Sequence, residues 1–557
     1  RGFNGFNRTN MQSNIDVDIT NRFKIGVAIN GRIETTDNPG LPGDDYNLPI
    51  YGAYNNLPTK KPYANNNPKY PAISAPWAQD SFGWMNYEHA GRYKDQWKVI
   101  QINGTAEYEI LKGLKARGLF SYWLANRRQS NREYSYEYDK ENDVYNVVET
   151  GTARYTERSM EMKEELTSNI QLSYENTFAL HHVNAVVGFE AKKGTYPRMY
   201  ALGNPPANGI PYIDKTSLST FTDGIGNPQT RMGYIGRLNY DYANKYIIEL
   251  SGRYDGSYRY KRGKRWGFFP SASIGYRVTE EKFWQDVDFL KDNITNLKIR
   301  ASYGVNGNQP GAFYGYMGLY SYGQNYMGAA GSYESAQANP KLKWEKNYNL
   351  NIGLSLTFID RIFVNLEYYN RDTKDLLYNR PISSTTGFLN YLANIGQLNN
   401  KGVEFELRTI NFAGPDFNWT SVLNLTHNRN KIVALDGDIK QSVEGSWFIH
   451  KIGLPYNSFY VKEFAGVDPS TGKGLYYLNT QDEKGNYNRE MTDDASKAQA
   501  IPYKSADPKI SGGFTNILSY KWFDLGLTFT YSLGGYSFDK AGTMIETDGS
   551  KEKSYNL

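Results

Sequence analysis

Long runs in which apolar and polar residues alternate are the dominant feature of this sequence. Leucine, isoleucine and phenylalanine alternate with asparagine, glycine, serine and threonine between residues 350 and 358, and the runs 246–256, 403–408 and 525–533 follow the same rule. A period of two places the apolar side chains on one face of a strand and the polar ones on the other. Because strands of soluble proteins most often have about 5–6 residues, these runs predict unusually long amphipathic strands.

The segments between the predicted strands are of two kinds, which alternate along the chain. Short polar links lie at 20–22, 112–113, 243–244, 359–361, 413–415 and 521–522. Long stretches rich in Gly, Asn, Pro and Tyr lie at 34–96, 194–229, 306–342, 374–398 and 429–506. This gives roughly 16 strands in about eight hairpins, which is typical of a bacterial outer-membrane barrel with short periplasmic turns and long extracellular loops. The predicted fold class is therefore all-β, a transmembrane antiparallel β-barrel.

A sheet surrounded by lipid cannot leave an unpaired edge, so its strands have to close into a cylinder with the apolar face toward lipid. Aromatic residues near strand ends would form girdles at the membrane interfaces; the candidates are Tyr246, Tyr368, Tyr369, Trp419, Trp522 and Phe523. One link is longer, and the spacing of Phe283, Val287 and Leu290 predicts one short helix within 280–292. The alternative is a soluble or surface-attached β-rich protein with its apolar face inward, but that class explains neither the strand length nor the loop asymmetry.

Composition narrows the function classes. The 557 residues have a mean hydropathy of −0.66, yet 15% are aromatic, and disordered chains are poor in such residues. The sequence has no long apolar run, which excludes membrane-spanning helices, and no cysteine, which excludes disulfides and thiolate chemistry. The net charge of +5 is spread along the chain, so nucleic acid is not an expected partner.

Several sequence segments are specific enough to compare with a known family, beyond their alternation of apolar and polar residues. They are 236–257 (GRLNYDYANKYIIELSGRYDGS), 264–284 (KRWGFFPSASIGYRVTEEKFW), 297–309 (LKIRASYGVNGNQ), 393–407 (ANIGQLNNKGVEFEL) and 464–477 (FAGVDPSTGKGLYY). With them, nearly the whole chain resembles the barrel of SusC/RagA-type TonB-dependent transporters. Because large plugged transporters have about 22 strands, the resemblance implies that 1–557 is a partial β-barrel domain. The N-terminal plug, the first strands and the last strands would then lie outside this chain.

The resemblance also implies a function. Proteins of this type perform active import of a glycan or oligopeptide across the outer membrane of a Gram-negative, Bacteroidota-like bacterium, and TonB supplies the energy. The implied partners are a SusD-like surface lipoprotein, TonB, and outer-membrane lipid or lipopolysaccharide, with a dimer of SusC–SusD-like pairs as the expected assembly. The alternatives are a stand-alone TonB-dependent receptor, a passive porin and a soluble or surface-attached β-rich adhesin. Glycan-binding and peptide-binding members share these blocks, so the substrate class stays open.

Catalytic motifs are scarce in this sequence. The five histidines, His89, His181, His182, His427 and His450, have no zinc-ligand spacing. GVDPSTGKG at 466–474 superficially matches a phosphate-binding loop, but Gly474 follows Lys473 where that motif requires Ser or Thr. We therefore expect no enzyme activity, no catalytic residue, no metal site and no cofactor.

Aromatic residues in two predicted loops are the candidates for substrate binding. They are Tyr314, Tyr316, Tyr320, Tyr322 and Tyr326 in the first loop, and Trp447, Phe448 and Tyr456 in the second. Rigid aromatic faces beside amide side chains suit stacking on sugar rings or contacts with a peptide. For any single ring, packing within the loops is the alternative, whereas the set as a whole predicts a binding surface.

Overall fold

The computed structural model describes residues 5–39, 91–133, 136–139, 144–147, 155–204, 217–224, 226, 228–329, 331–435, 437, 441–444 and 447–539. The chain divides into two compact units. The first comprises Arg1–Gln171, Phe189–Arg231 and Phe538–Leu557, and the second comprises Leu172–Gly188 and Met232–Ser537.

The first unit is built from antiparallel strands. In chain order these are β1 (Gly5–Thr20), β2 (Phe23–Pro39), β3 (Gly91–Leu111), β4 (Leu114–Glu133), β5 (Tyr136–Asp139), β6 (Val144–Val147), β7 (Tyr155–Phe178), β8 (His181–Thr195), β9 (Arg198–Asn204), β10 (Ser217–Gly224) and β11 (Gln229–Tyr242). Strands β1 to β4 pair in sequence order, and β9 pairs with both β7 and β10. Parts of β7, β8 and β11 belong to the second unit.

The second unit contains the remaining strands. They are β12 (Tyr246–Ser257), β13 (Trp266–Arg277), β14 (Ile294–Asn308), β15 (Leu319–Tyr322), β16 (Ser332–Ala336), β17 (Glu345–Phe358), β18 (Ile362–Lys374), β19 (Leu377–Pro381), β20 (Asn390–Asn394), β21 (Gln397–Ala413), β22 (Phe417–Ala434), β23 (Gln441–Glu444), β24 (Phe448–Lys451), β25 (Ser458–Val461), β26 (Phe464–Val467), β27 (Gly474–Tyr477), β28 (Met491–Thr492), β29 (Ile501–Ser505), β30 (Ile510–Tyr520) and β31 (Phe523–Leu533). The long strands β12, β13, β14, β17, β18, β21, β22, β30 and β31 pair consecutively, and every pair is antiparallel. Sixteen strands in the described ranges have eleven or more residues, in agreement with the predicted number.

The predicted short links are confirmed as tight turns. Ala243 and Asn244 have φ values of 52° and 59°, and Ile359 and Asp360 have 46° and 54°. Two successive residues with positive φ match the twist of the flanking strands, which is why such turns join long hairpins. The long connections instead carry small hairpins such as β15–β16 and β19–β20.

The two faces of the long strands differ as predicted. In β12, Tyr246, Ile248 and Leu250 are exposed, while the alternating Ile247, Glu249 and Ser251 are half-buried. Exposure of the apolar face is the reverse of a soluble sandwich, in which that face packs into the core. We call these two sides of the strands the apolar face and the polar face.

Two details differ from the sequence prediction. The long link forms a 3₁₀ turn (Val278–Glu280) and two short helices, α1 (Lys282–Gln285) and α2 (Asp288–Asn293), instead of one helix. Tyr369 is 5% exposed and lies on the polar face, so its assignment to an aromatic girdle is wrong; its neighbour Tyr368 is 40% exposed. Successive residues of a strand point to opposite faces, so only one of the two can face outward.

None of the helices in these ranges has the length and apolar character needed to cross a membrane.

Candidate functional site

The first group of predicted binding residues lies around the β15–β16 hairpin. Tyr320, Tyr322 and Tyr326 are 63%, 82% and 77% exposed, and Met327 beside them is 91% exposed. Tyr314 and Tyr316, which precede the hairpin, are half-buried. The structure therefore places three of the five tyrosines where a partner or ligand could contact their rings.

The second group is divided between the surface and the interior of its loop. Trp447 is 47% exposed. Phe448 stacks on Phe459 with ring centroids 5.0 Å apart, and Tyr456 stacks on His450 at 4.1 Å. Phe448 and Tyr456 thus take part in packing within the loop, and their role in binding stays a prediction.

A narrow apolar pocket lies beside Tyr456. Its walls include Leu376, Ile395, Leu398, Ile432, Ala434 and Leu435. At its polar edge the Tyr378 hydroxyl lies 3.2 Å from His450 Nδ1 and donates to Ser442 Oγ at 3.3 Å. His450 is 4% exposed, so these contacts join the β19–β20 and β23–β24 segments.

A further cluster, which the sequence analysis did not select, lies on the polar face near the loop ends of β13, β14, β17 and β18. An open cavity of about 360 Å³ is lined there by Ser271, Ser302, Gly304, Asn306, Asn347, Asn349, Asn351 and Arg371. We call these residues the amide band. Strand register assembles them, because Ser302 lies opposite Asn351, and Asn349 lies opposite both Gly304 and Arg371.

Few hydrogen bonds link the side chains of the amide band to one another. Asn351 Nδ2 approaches Ser302 Oγ at only 3.4 Å, and Asn349 Nδ2 donates to the Asn347 carbonyl at 3.2 Å. The side-chain oxygens of Asn347 and Asn351 are themselves buried and accept no hydrogen bond within the described part of the chain. Arg371 is the one charge among the lining residues, and its guanidinium lies 4.5 Å from the centre of the Tyr369 ring.

A charged zone follows closer to the turns on the same face. Arg300 donates to Glu367 at 2.7 Å and to Ser355 Oγ at 2.8 Å, and Ser355 in turn donates to Asn365. These polar groups bond to one another, whereas the cavity of the amide band is lined mainly by neutral amides and hydroxyls. Amides and hydroxyls of this kind bind sugar hydroxyls or peptide groups.

Comparisons with known proteins agree with this architecture. The family described as "TonB dependent receptor-like, beta-barrel" matches residues 21–556. The TonB-dependent receptor P3 of Formosa agariphila is 29% identical over 95% of this chain and 54% of that protein. The TonB-dependent receptor SusC of Bacteroides thetaiotaomicron is 33% identical over 56% of this chain and 32% of that protein.

A solved structure of the RagAB peptide transporter superposes with a TM-score of 0.81 and 22% identity, over 99% of this chain and 60% of that chain. At this identity the similarity shows the fold. The chain spans about half the length of the P3 receptor. The resemblance to the SusC/RagA type is confirmed, and the chain belongs to the family of TonB-dependent receptor-like β-barrels.

Proposed function

We propose that the protein containing this chain actively imports a glycan or an oligopeptide across the outer membrane of a Gram-negative bacterium, with energy supplied through TonB. The observation that carries the proposal is the family match over residues 21–556. Strands with an exposed apolar face and a polar face that carries neutral amides support it, because such strands suit a lipid-embedded wall around a wet interior. The proposed role is transport without catalysis, so no metal or cofactor is required.

The amide band is the part of the wall that we assign to the substrate. A neutral surface with many weak donors and acceptors can bind a polar oligomer and release it again, since each hydrogen bond contributes only about 0.5–1.5 kcal/mol in net terms. Glycans and peptides both carry groups that such a surface recognises. The RagAB relative is described as a peptide importer, which supports the peptide alternative without excluding the glycan.

We assign the exposed tyrosines of the β15–β16 hairpin to contact with a partner protein. Exposed aromatic clusters usually mark contact sites. A SusD-like lipoprotein over the loops would close the substrate in, and two such pairs would form a dimer. Orientation follows the outer-membrane rule that the longer loops are extracellular.

The proposal is tested by uptake measurements on the full-length protein in its native host. Labelled oligosaccharides and labelled oligopeptides are supplied separately to wild-type cells, to a strain lacking the gene and to a strain lacking TonB. We expect uptake of one class to be lost in both mutants. Uptake that survives without TonB, together with open conductance in liposomes, would instead identify a passive porin.

Asn349→Leu tests the amide band within the same experiment. Removal of this amide is expected to lower uptake about three- to tenfold without affecting assembly, since one or two hydrogen bonds to the substrate would be lost. Asn365→Leu is the matched control, because Asn365 lies on the same face but is held by Ser355 at 2.8 Å in the charged zone. Equal effects of the two changes on uptake would contradict the assignment.

A further inference from the structure

The apolar face of β3, β4 and β7 changes abruptly to a basic surface near the loop ends of these strands. Along β3 the exposed residues are Ile102 and Ile100, then Lys98 and Lys94. On β4, Leu124 is followed on the same face by Asn126 and Arg128, and on β7 the exposed Met162 and Met160 give way to Arg158. We call the exposed Lys94, Lys98 and Arg128 the basic collar; Arg158 is half-buried beside them.

Strand register brings the collar together. Gln96 lies opposite Arg128, and Lys98 lies opposite Asn126, so Arg128 is a diagonal neighbour of both Lys94 and Lys98. Two cavities run between these side chains and the methionines of β7 and β9. One, of about 450 Å³, is lined by Lys98, Arg128, Met160, Met162 and Met199, and also by Arg127, Glu161 and Arg198. The other, of about 550 Å³, is lined by Lys94, Arg128, Arg158 and Met160 among others.

Nearby carboxylates do not neutralise the collar. Lys94, Lys98 and Arg128 are exposed and form no ion pair with another described residue. Asp37, which lies opposite Lys94, accepts a hydrogen bond from Arg92 Nε at 2.8 Å. Asp95 accepts from Arg127 at 2.9 Å. Glu161, which also lines the cavity of about 450 Å³, is paired with Arg127 and with Lys163, both at 3.1 Å. The collar therefore presents excess positive charge directly above an apolar surface.

This combination fits an amphipathic anion. Lysine and arginine bind phosphate through charge-assisted hydrogen bonds, and the flexible, polarizable methionine side chains adapt to acyl chains. A free phosphate would need the cations but not the methionines below them. We propose that the basic collar binds the phosphate groups of a phosphorylated glycolipid of the outer leaflet, which is lipopolysaccharide, while Met160, Met162 and Met199 contact its acyl chains. This inference rests on the proposed outer-membrane location and loop orientation, but not on the transported substrate.

The test is the amount of lipopolysaccharide that stays bound to the full-length protein when it is extracted from outer membranes in mild detergent. Native mass spectrometry and a phosphate assay of the purified protein give this amount. Lys98→Gln/Arg128→Gln is expected to lower it about tenfold, because two charge-assisted contacts are lost. Lys98→Arg/Arg128→Lys, which keeps both charges, should retain most of the lipid.

Lys24→Gln/Lys112→Gln is the matched control, since both lysines are exposed at the turn ends of β2 and β3. It should bind as much lipopolysaccharide as the wild type. Heat-dependent gel mobility shows whether each variant is folded. Equal retention in folded collar and control variants would overturn the inference, as would loss of a protein partner with unchanged lipid.

The outcomes separate this inference from the transport proposal. Lipid retention that depends on the collar, in a protein that imports neither test substrate, would leave the collar site standing and reject the transport proposal. Normal import together with lipid binding that does not depend on the collar would support the transport proposal and reject the collar site. Recovery of the protein outside the outer membrane would remove the basis of both.

Discussion

At the scale of single residues, paired glycines and aromatic rings shape the sheet. Tyr369 on β18 lies opposite Gly402 on β21, and its hydroxyl donates to Asn428 Oδ1 at 2.8 Å. Tyr531 on β31 lies opposite Gly512 on β30 in the same way, and its hydroxyl donates to the Asn424 carbonyl at 2.7 Å. In each pair the glycine has no Cβ, so the ring has room to lie across the neighbouring strand. This contact helps to fix the register between the two strands.

Gly402→Ala is expected to destabilise the protein. A Cβ at this position would come within 2.7 Å of Tyr369 Cζ and closer still to the backbone oxygen of His427. Such overpacking typically costs about 1–3 kcal/mol. Unfolding of the full-length protein in detergent measures the change. Gly104→Ala is the control, because a Cβ there would meet nothing within 4 Å. Similar losses of stability in both variants would show that the packing of the Tyr369 ring over Gly402 does not matter for stability.

At the scale of elements, the sequence predicted the strands and turns, because these depend on residues that are neighbours in the chain. The alternation in 350–358 and the turn at Ala243–Asn244 are local patterns, and β17 and the β11–β12 turn follow them. The amide band could not be found in this way, although Asn347, Asn349 and Asn351 show the period of two. It depends on register between residues far apart in the chain, such as Ser302 and Asn351, and a one-residue slip would move the amides to the other face.

Substitutions on β12 test the assignment of the two faces. Ile248→Arg should lower the free energy of unfolding in lipid by roughly 2–4 kcal/mol, because a charge would face the hydrocarbon. Ile248 is 41% exposed on the apolar face. Ser251→Arg on the polar face of the same strand should be tolerated, since its environment is hydrated. The opposite ranking of the two variants would mean that the faces are reversed.

The helical link is attached to the strands by one carboxylate. Glu281 accepts hydrogen bonds from the Tyr246 hydroxyl at 2.6 Å, the Tyr276 hydroxyl at 3.3 Å and Lys245 Nζ at 3.4 Å. The hydrogen bond from Tyr246 is the largest of the contributions that lower the pKa of Glu281 below its ordinary value. A lowered pKa means that the attachment is strongest above the ordinary pKa of a glutamate and weakens as pH falls through the lowered one.

Tyr246→Phe should therefore raise the pKa of Glu281 and loosen residues 278–293. Hydrogen–deuterium exchange with mass spectrometry would show faster exchange of this link, and the difference from wild type would shrink at acidic pH once Glu281 is protonated. Tyr303→Phe provides the control, because Tyr303 is 53% exposed and its hydroxyl forms no hydrogen bond with the described residues. Unchanged exchange in Tyr246→Phe would mean that Trp284, which is buried and donates to the Ile294 carbonyl at 3.3 Å, holds the link by itself.

At the scale of the whole molecule, the long loops carry more apolar surface than a hairpin connection needs. Tyr320, Tyr322 and Tyr326 extend from β15–β16 with 63%, 82% and 77% of their surface exposed. Rings of this kind contribute strongly when a partner covers them, because tyrosine buries a large area at a low entropic cost. Their connection to the wall runs through β14 and β17, whose loop ends also carry Asn306 and Asn347 of the amide band. Contact with a partner and contact with the substrate would therefore occur at the same end of this strand pair.

The variant Tyr320→Ser/Tyr322→Ser/Tyr326→Ser should weaken capture of the proposed SusD-like lipoprotein by about tenfold or more, the effect expected when a central aromatic cluster is removed. Assembly should be unaffected, because these rings lie outside the paired ladder of long strands. Detergent pull-down of the full-length protein followed by quantitative mass spectrometry measures the captured lipoprotein, and heat-dependent gel mobility measures assembly. Tyr503→Ser, at an exposed tyrosine of a different loop, shows whether the effect belongs to the β15–β16 hairpin. Undiminished capture combined with reduced uptake would assign the three rings to the substrate, and undiminished capture with normal uptake would remove them from the binding surface altogether.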